Sequence, residues 1–181
     1  MSLTGKWIDL IYKVATGNWK VRVILAPIVG ILYWGLIGLF IILSFFADKI
    51  LQLPEIFAYP WTLIIGAPII MAGFILMSFS IFHFLKVRGT PVPFSPPPKL
   101  VTDGPYRFAR NPMLTGIFVQ LFGLGILVNL LALILIFTPL FIIINYWELK
   151  NVEEPELEKR LGQEYVDYKK RVPMFFPWWR K

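Results

Sequence analysis

The sequence predicts an all-α fold: an integral membrane helical bundle with about four transmembrane helices, an N-terminal interfacial helix and C-terminal cytoplasmic helices. Two observations predict it. Of 181 residues, 57% are hydrophobic and 16% charged, at a mean hydropathy of +0.66. Soluble domains lie near half apolar and a quarter charged, and a single domain of this size cannot bury so much apolar surface in water. The apolar residues also fall into three charge-free stretches of 25, 30 and 37 residues, at 23–47, 56–85 and 111–147. A bilayer core needs about 20 helical residues. The first two stretches each make one span, near 23–46 and 60–85. As one helix the third would run roughly 55 Å, so it folds back on itself near Val128-Asn129, giving spans near 113–128 and 131–147. The third span is short enough to be partly re-entrant.

Charge placement supports four spans. Lys and Arg number four in 1–22, one in 47–58, five in 86–110 and eight in 148–181. Cytoplasmic segments carry the excess of basic residues. An even number of spans gathers 17 of the 18 on one side, with both termini cytoplasmic. Residues 1–22 form an N-terminal interfacial segment. They lack the apolar core of a cleavable signal peptide, and Trp7, Leu10, Ile11 and Val14 recur at helical spacing, as in a helix lying on the membrane surface. Residues 23–181 form a single membrane domain.

Composition excludes several chemistries. There is no cysteine, hence no disulfide, thiolate zinc site or cysteine nucleophile. One histidine, His83, argues against a histidine-rich metal centre; near the end of the second span it is a functional suspect or a hydrogen-bonded packing residue. The net charge of +7 reads beside the apolar runs as a membrane-surface bias, and no nucleic-acid partner is expected.

Two polar segments can carry chemistry. Residues 88–98 read RGTPVPFSPPP, with five prolines, which excludes helix and favours a stiff extended connector or a lid. Next comes Lys99-Leu-Val-Thr-Asp-Gly-Pro-Tyr-Arg-Phe-Ala-Arg-Asn-Pro112, where Asp103-Gly104-Pro105 is a turn signal. Arg107 and Arg110 suit interfacial anchors, or, with Tyr106, a nucleotide-like ligand. In the C-terminal segment, Glu153-Glu154 sit near the membrane boundary and can attract an ammonium. An amphipathic helix follows, then a break at Gly162 and a second short helix. The tail from Phe175 is aromatic-rich and is expected at the headgroup level. Gly123-Leu-Gly125 lacks the four-residue spacing of a helix-packing motif.

The segment Leu100-Val-Thr-Asp-Gly-Pro-Tyr-Arg-Phe-Ala-Arg-Asn-Pro-Met113, two short apolar helices, Glu153-Glu154 and Leu161-Gly-Gln-Glu-Tyr-Val-Asp-Tyr-Lys-Lys-Arg-Val-Pro173 together resemble the isoprenylcysteine carboxyl methyltransferase superfamily, whose core phospholipid methyltransferases share. The resemblance covers about residues 60–177. It implies an S-adenosylmethionine-dependent methyltransferase acting on a lipophilic small molecule or lipid, either an isoprenoid or lipid carboxylate or a headgroup. It carries cofactor contacts onto Lys99, Leu100, Val101, Gly104, Tyr106, Asn111, Pro112, Met113 and Glu153, with Glu153 holding the cofactor's ammonium. Arg110 and Glu154 take the catalytic positions, Arg110 neutralising the cofactor's carboxylate or orienting the acceptor. Three positions depart from the pattern: Asn111 stands for a common histidine, Leu114 for a common tyrosine, and Leu149 for an arginine that faces substrate in the prenylcysteine enzymes. The cofactor half of the pattern is kept better than the substrate half. A phospholipid N-methyltransferase, or a non-catalytic membrane sensor or scaffold, are the alternatives. Sterol reductases share part of the motif set but are longer. The acceptor and the oligomeric state are not legible.

Overall fold

The computed structural model describes residues 3–55, 57–87 and 99–176. The proline-rich segment 88–98 and the end of the aromatic tail, 177–181, lie outside the described residues. The fold is all-helical as expected. Helix α1 spans Leu3–Thr16, α2 Trp19–Leu51 and α3 Trp61–Lys86, and a 3₁₀ turn follows at Gly104–Arg107. Helix α4 spans Pro112–Leu127, α5 Thr138–Glu148, α6 Glu154–Leu161 and α7 Gln163–Arg171. Two π turns, Leu133–Phe137 and Leu149–Glu153, flank α5. Through them the helix runs continuously over Leu133–Leu161.

Among the described residues, three helices are long and apolar enough to cross a membrane: Val23–Leu51, Trp61–Lys86 and Leu133–Leu161. Apolar α4, with 16 residues, is about 24 Å long. Most of the large apolar side chains left uncovered, among them Ile31, Leu32, Phe45, Ile75 and Ile143, lie on the spanning helices, where lipid is their solvent. The chain is therefore an integral membrane protein.

The turn between the last two spans falls where the sequence placed it. Asn129 adopts φ 58°, a left-handed conformation that asparagine tolerates. Its side-chain Nδ2 donates to the Phe57 carbonyl at 2.9 Å, tying this turn to the one between α2 and α3. Beside it, the Asp48 carboxylate of α2 accepts from the backbone N–H groups of Leu131 and Ala132 at 2.8 and 2.6 Å. These donors open the last long helix and have no intrahelical acceptor. A carboxylate from another span caps them.

Helices α3 and α4 are antiparallel, and glycines let their backbones approach. A Cβ on Gly73 would lie 2.6 Å from the Gly116 carbonyl oxygen, and one on Gly66 2.9 Å from that of Gly123. The small residues recur every seven positions on both helices. The core is aromatic: Phe118 and Phe141 are fully buried, their rings 5.9 Å apart. Phe175 joins them, 5.2 Å from Phe118. The expectation that the aromatic tail sits among headgroups is thus corrected for this residue, because the chain after α7 is drawn back over the start of α4.

The three basic segments meet at one end of the bundle. Helix α1 packs on α6 and on the second π turn, burying Ile11 and Ala15 and leaving Trp7 and Leu10 uncovered. The apolar stripe read from the sequence is therefore divided, Ile11 facing protein and Trp7 facing outward. Lys159 of α6 bonds Asp9 at 2.8 Å and lies 4.4 Å over the Tyr12 ring.

Candidate functional site

The site residues named from sequence converge at this basic end. The chain enters along Lys99, which is exposed, and Leu100, which packs on the cluster of Tyr165, Tyr168 and Val172. Val101 is buried. Gly104 opens the 3₁₀ turn at φ +57°, a left-handed conformation glycine adopts at no steric cost. Tyr106 is buried, with its ring 5.1 Å from Phe84 of α3, and its carbonyl accepts from the Tyr168 hydroxyl at 2.7 Å. Burial pushes the phenols of Tyr106, Tyr165 and Tyr168 upward from their ordinary values, so they act here as hydroxyls.

Arg110, Asn111, Pro112 and Met113 lead into α4. The backbone N–H groups of Arg110 and Asn111 donate to the carbonyls of Pro173 and Met174, at 2.8 and 3.0 Å. Thr115 Oγ1 donates to Phe175 at 3.2 Å. Pro112 at the first helical position is fully buried, where its missing N–H costs nothing. Met113 is partly buried.

The two residues named as catalytic bind each other. The Arg110 guanidinium pairs with Glu154 Oε1 and donates to the carbonyls of Val172 and Lys169 at 2.5 and 3.0 Å. The other oxygen of Glu154, which is 2% exposed, meets Lys169 at 2.6 Å. Lys169 also bonds Glu158 at 2.9 Å. Burial lowers the Lys169 value, and these two carboxylates more than offset it. The network fastens the head of α4 to α6 and α7. Arg110 Nε is buried with no hydrogen-bond partner among the described residues, so one N–H of this cation remains for a ligand.

Glu153 is placed differently from its neighbour. It ends the π turn and is partly buried. Glu148, Glu156 and Glu154 act on it electrostatically, with Arg160 in opposition, and its charge is felt at Tyr106, Tyr33 and Tyr165. Glu148 is the residue that sequence spacing missed. Five positions apart on an α-helix, two side chains diverge by ~140°. A π turn closes i to i+5, and this one gathers Glu148 toward Glu153. Asn145, one turn before Glu148, is buried and accepts from the Tyr33 hydroxyl at 3.3 Å. Tyr33 carried no motif, and only the fold brings α2 alongside. No group of acidic and histidine side chains among the described residues is arranged to hold a metal ion.

With this geometry in place, the relatives can be weighed. The phospholipid methyltransferase family model matches residues 61–164, more than half of the chain.

The chain belongs to the phospholipid methyltransferase family.

The matched region takes in α3, the 3₁₀ turn, α4, the helix bearing Glu153 and Glu154, and the start of α7. The phospholipid methyltransferase model does not reach α1 and α2, which supply Tyr33 and the lysine-bonded Asp9. A similar curated protein is the nickel-cobalt-cadmium resistance protein NccN of Alcaligenes xylosoxydans xylosoxydans, 34% identical over 79 residues. That alignment covers 44% of this chain and 36% of NccN, so the chain spans about a third of that relative. No solved structure matches.

Proposed function

We propose that this membrane methyltransferase takes S-adenosylmethionine from the cytoplasm and methylates a lipophilic acceptor that arrives from the bilayer. The observation that carries the reading is the contrast between the adjacent glutamates. Glu154 is consumed by Arg110 and Lys169, whereas Glu153, one residue earlier, lies in the field of the carboxylates Glu148, Glu154 and Glu156 and within electrostatic reach of Tyr106 and Tyr33. Bound, the cofactor would present an electrophilic methyl group on a sulfonium whose leaving group is a neutral thioether.

The residues fit such a group. Glu153 would hold its ammonium, the Arg110 Nε–H its carboxylate, and Leu100, Val101, Tyr106 and Met113 its apolar and aromatic parts. Asn111 and Pro112 shape the wall at the head of α4, and Lys99 lies on the approach. Arg110 and Glu154 then act mainly by positioning: their pairing fixes α4 against α6 and α7, and alignment with exclusion of water is what an in-line displacement requires.

Among acceptors, the amine of a lipid headgroup is favoured over a carboxylate. An amine must lose a proton around the displacement. Glu148, gathered to the site by the π turn, supplies a carboxylate that can receive an ammonium and its proton. The test is calorimetric titration of the detergent-purified protein with S-adenosylmethionine and S-adenosylhomocysteine, beside Glu153→Ala. Micromolar binding that this variant loses while it still melts cooperatively supports the reading. Binding that Glu153→Ala leaves unchanged refutes the assignment, and a folded wild type that binds neither compound points to the sensor or scaffold alternative.

A further inference from the structure

His83 has no part in that mechanism, yet it is held on three sides. It is 6% exposed near the basic end of α3. Its Nδ1 lies 2.8 Å from the carbonyl oxygen of Phe79. A carbonyl only accepts, so Nδ1 carries the hydrogen, and in the neutral imidazole the lone pair falls on Nε2. The rings of Phe79 and Phe82 flank it edge-on, with centroids at 4.6 and 5.9 Å. One face of the ring lies against the 3₁₀ turn. A Cβ built on Gly104 would lie 2.3 Å from Nε2, 2.6 Å from Cε1 and 2.7 Å from Cδ2.

Gly104 is therefore required twice. Its φ of +57° disfavours a side chain, and the imidazole occupies the space a side chain would take. The three distances are nearly equal, so the turn rests on the face of the ring over Nε2. A phenyl ring in its place has no N–H for the Phe79 carbonyl, and nothing would hold its face beneath the turn. The Phe79 bond prevents the imidazole from swinging away.

We propose that His83 is a positioning residue of the cofactor site: locked on the Phe79 carbonyl, its imidazole sets the height of the Gly104–Arg107 turn above α3. Through that turn it fixes Tyr106, whose ring rests on Phe84 one residue beyond His83. The proposal rests on the reading of this turn as a wall of the cofactor site, and it adds a residue from the second span that the motif pattern omits. His83 contacts no ligand in this account and acts through Gly104.

The experiment is S-adenosylhomocysteine titration of the full-length detergent-purified protein as wild type, His83→Phe, His83→Ala, Gly104→Ala and the double variant His83→Ala/Gly104→Ala, each with its melting curve. Misplacing a site wall by an ångström weakens interactions by about 10- to 100-fold, and that loss is expected for His83→Phe and Gly104→Ala while both still melt cooperatively. The double variant is expected to bind more tightly than Gly104→Ala alone, because the added methyl enters the space the imidazole leaves. A merely structural histidine would lower the melting temperature without moving the affinity of the folded fraction. Folded His83→Phe with wild-type affinity, or a double variant no better than Gly104→Ala, overturns the proposal. The wild-type titration separates the two layers: if the wild type fails to bind, the cofactor reading falls and this assignment with it, whereas wild-type binding with unaffected variants removes His83 alone.

Discussion

Adjacent glutamates with opposite surroundings give the sharpest expectations at the residue scale. Glu154 is buried and paired with Arg110. Removing one member of a buried ion pair leaves the other charge uncompensated, at a cost of about 3–5 kcal/mol. Glu154→Ala and Arg110→Ala should each lower the melting temperature steeply, and Arg110→Lys should rescue little, since an ammonium cannot make the divergent bonds to Glu154, Lys169 and Val172 together. Glu153→Ala should do the reverse, removing cofactor affinity with little change in melting. A third expectation concerns Asp9. Its hydrogen bond to Lys159, and then the attraction of that charge, hold the carboxyl below its ordinary value of 3.8. A depressed carboxyl stabilises the docked state above the unfolded value, and that stabilisation is lost as pH falls through the folded one. Docking of α1 should therefore weaken below about pH 4, and Asp9→Asn should remove the pH dependence of a fluorescence reporter on that helix.

At the scale of elements, the close crossing of α3 and α4 depends on residues that contribute no side chain. Gly73→Val would drive a branched side chain into the Gly116 carbonyl, and overpacking of that kind costs typically 1–3 kcal/mol or more; a lowered melting temperature is the check. Asp48→Ala removes the cap on the last long helix, with an expected loss of about 0.5–2 kcal/mol. These contacts also mark where the sequence stopped being legible. Helix count, the turn at Asn129 and the break at Gly162 were all readable, because hydrophobic run length and turn chemistry are local signals. The seven-residue recurrence of Gly66 and Gly73 against Gly116 and Gly123 was on the page, but its meaning depends on which two helices meet. Asp48 reads as an ordinary charged residue at a span's end until residues 131–132 are folded beside it. Of the candidate site, the two motif segments were legible, and their arrangement was not. No spacing rule reveals that Glu154 faces Arg110, that a π turn gathers Glu148 toward Glu153, or that His83 abuts Gly104.

Taken as a whole molecule, the bundle is polarised. One end gathers α1, the 3₁₀ turn, α6 and α7 with most of the described basic residues, while the other is closed by Asp48 and Asn129. The sequence contains no cysteine, so single introduced cysteines can report which side each end occupies. On the proposed orientation, Thr16→Cys and Asp103→Cys should react only with reagents that reach the cytoplasm, and Gln52→Cys only with reagents outside. The opposite labelling would invert the topology without altering the fold.

That polarity has a consequence for the bilayer itself. With the candidate chemistry confined to one end and the other end sealed by its own backbone caps, a lipid modified by the proposed activity would emerge in a single leaflet. The enzyme would then generate compositional asymmetry along with product. Supplying the opposite leaflet would fall to a separate translocating activity, so the distribution of methylated lipid across the membrane would report transport rate, not catalytic rate.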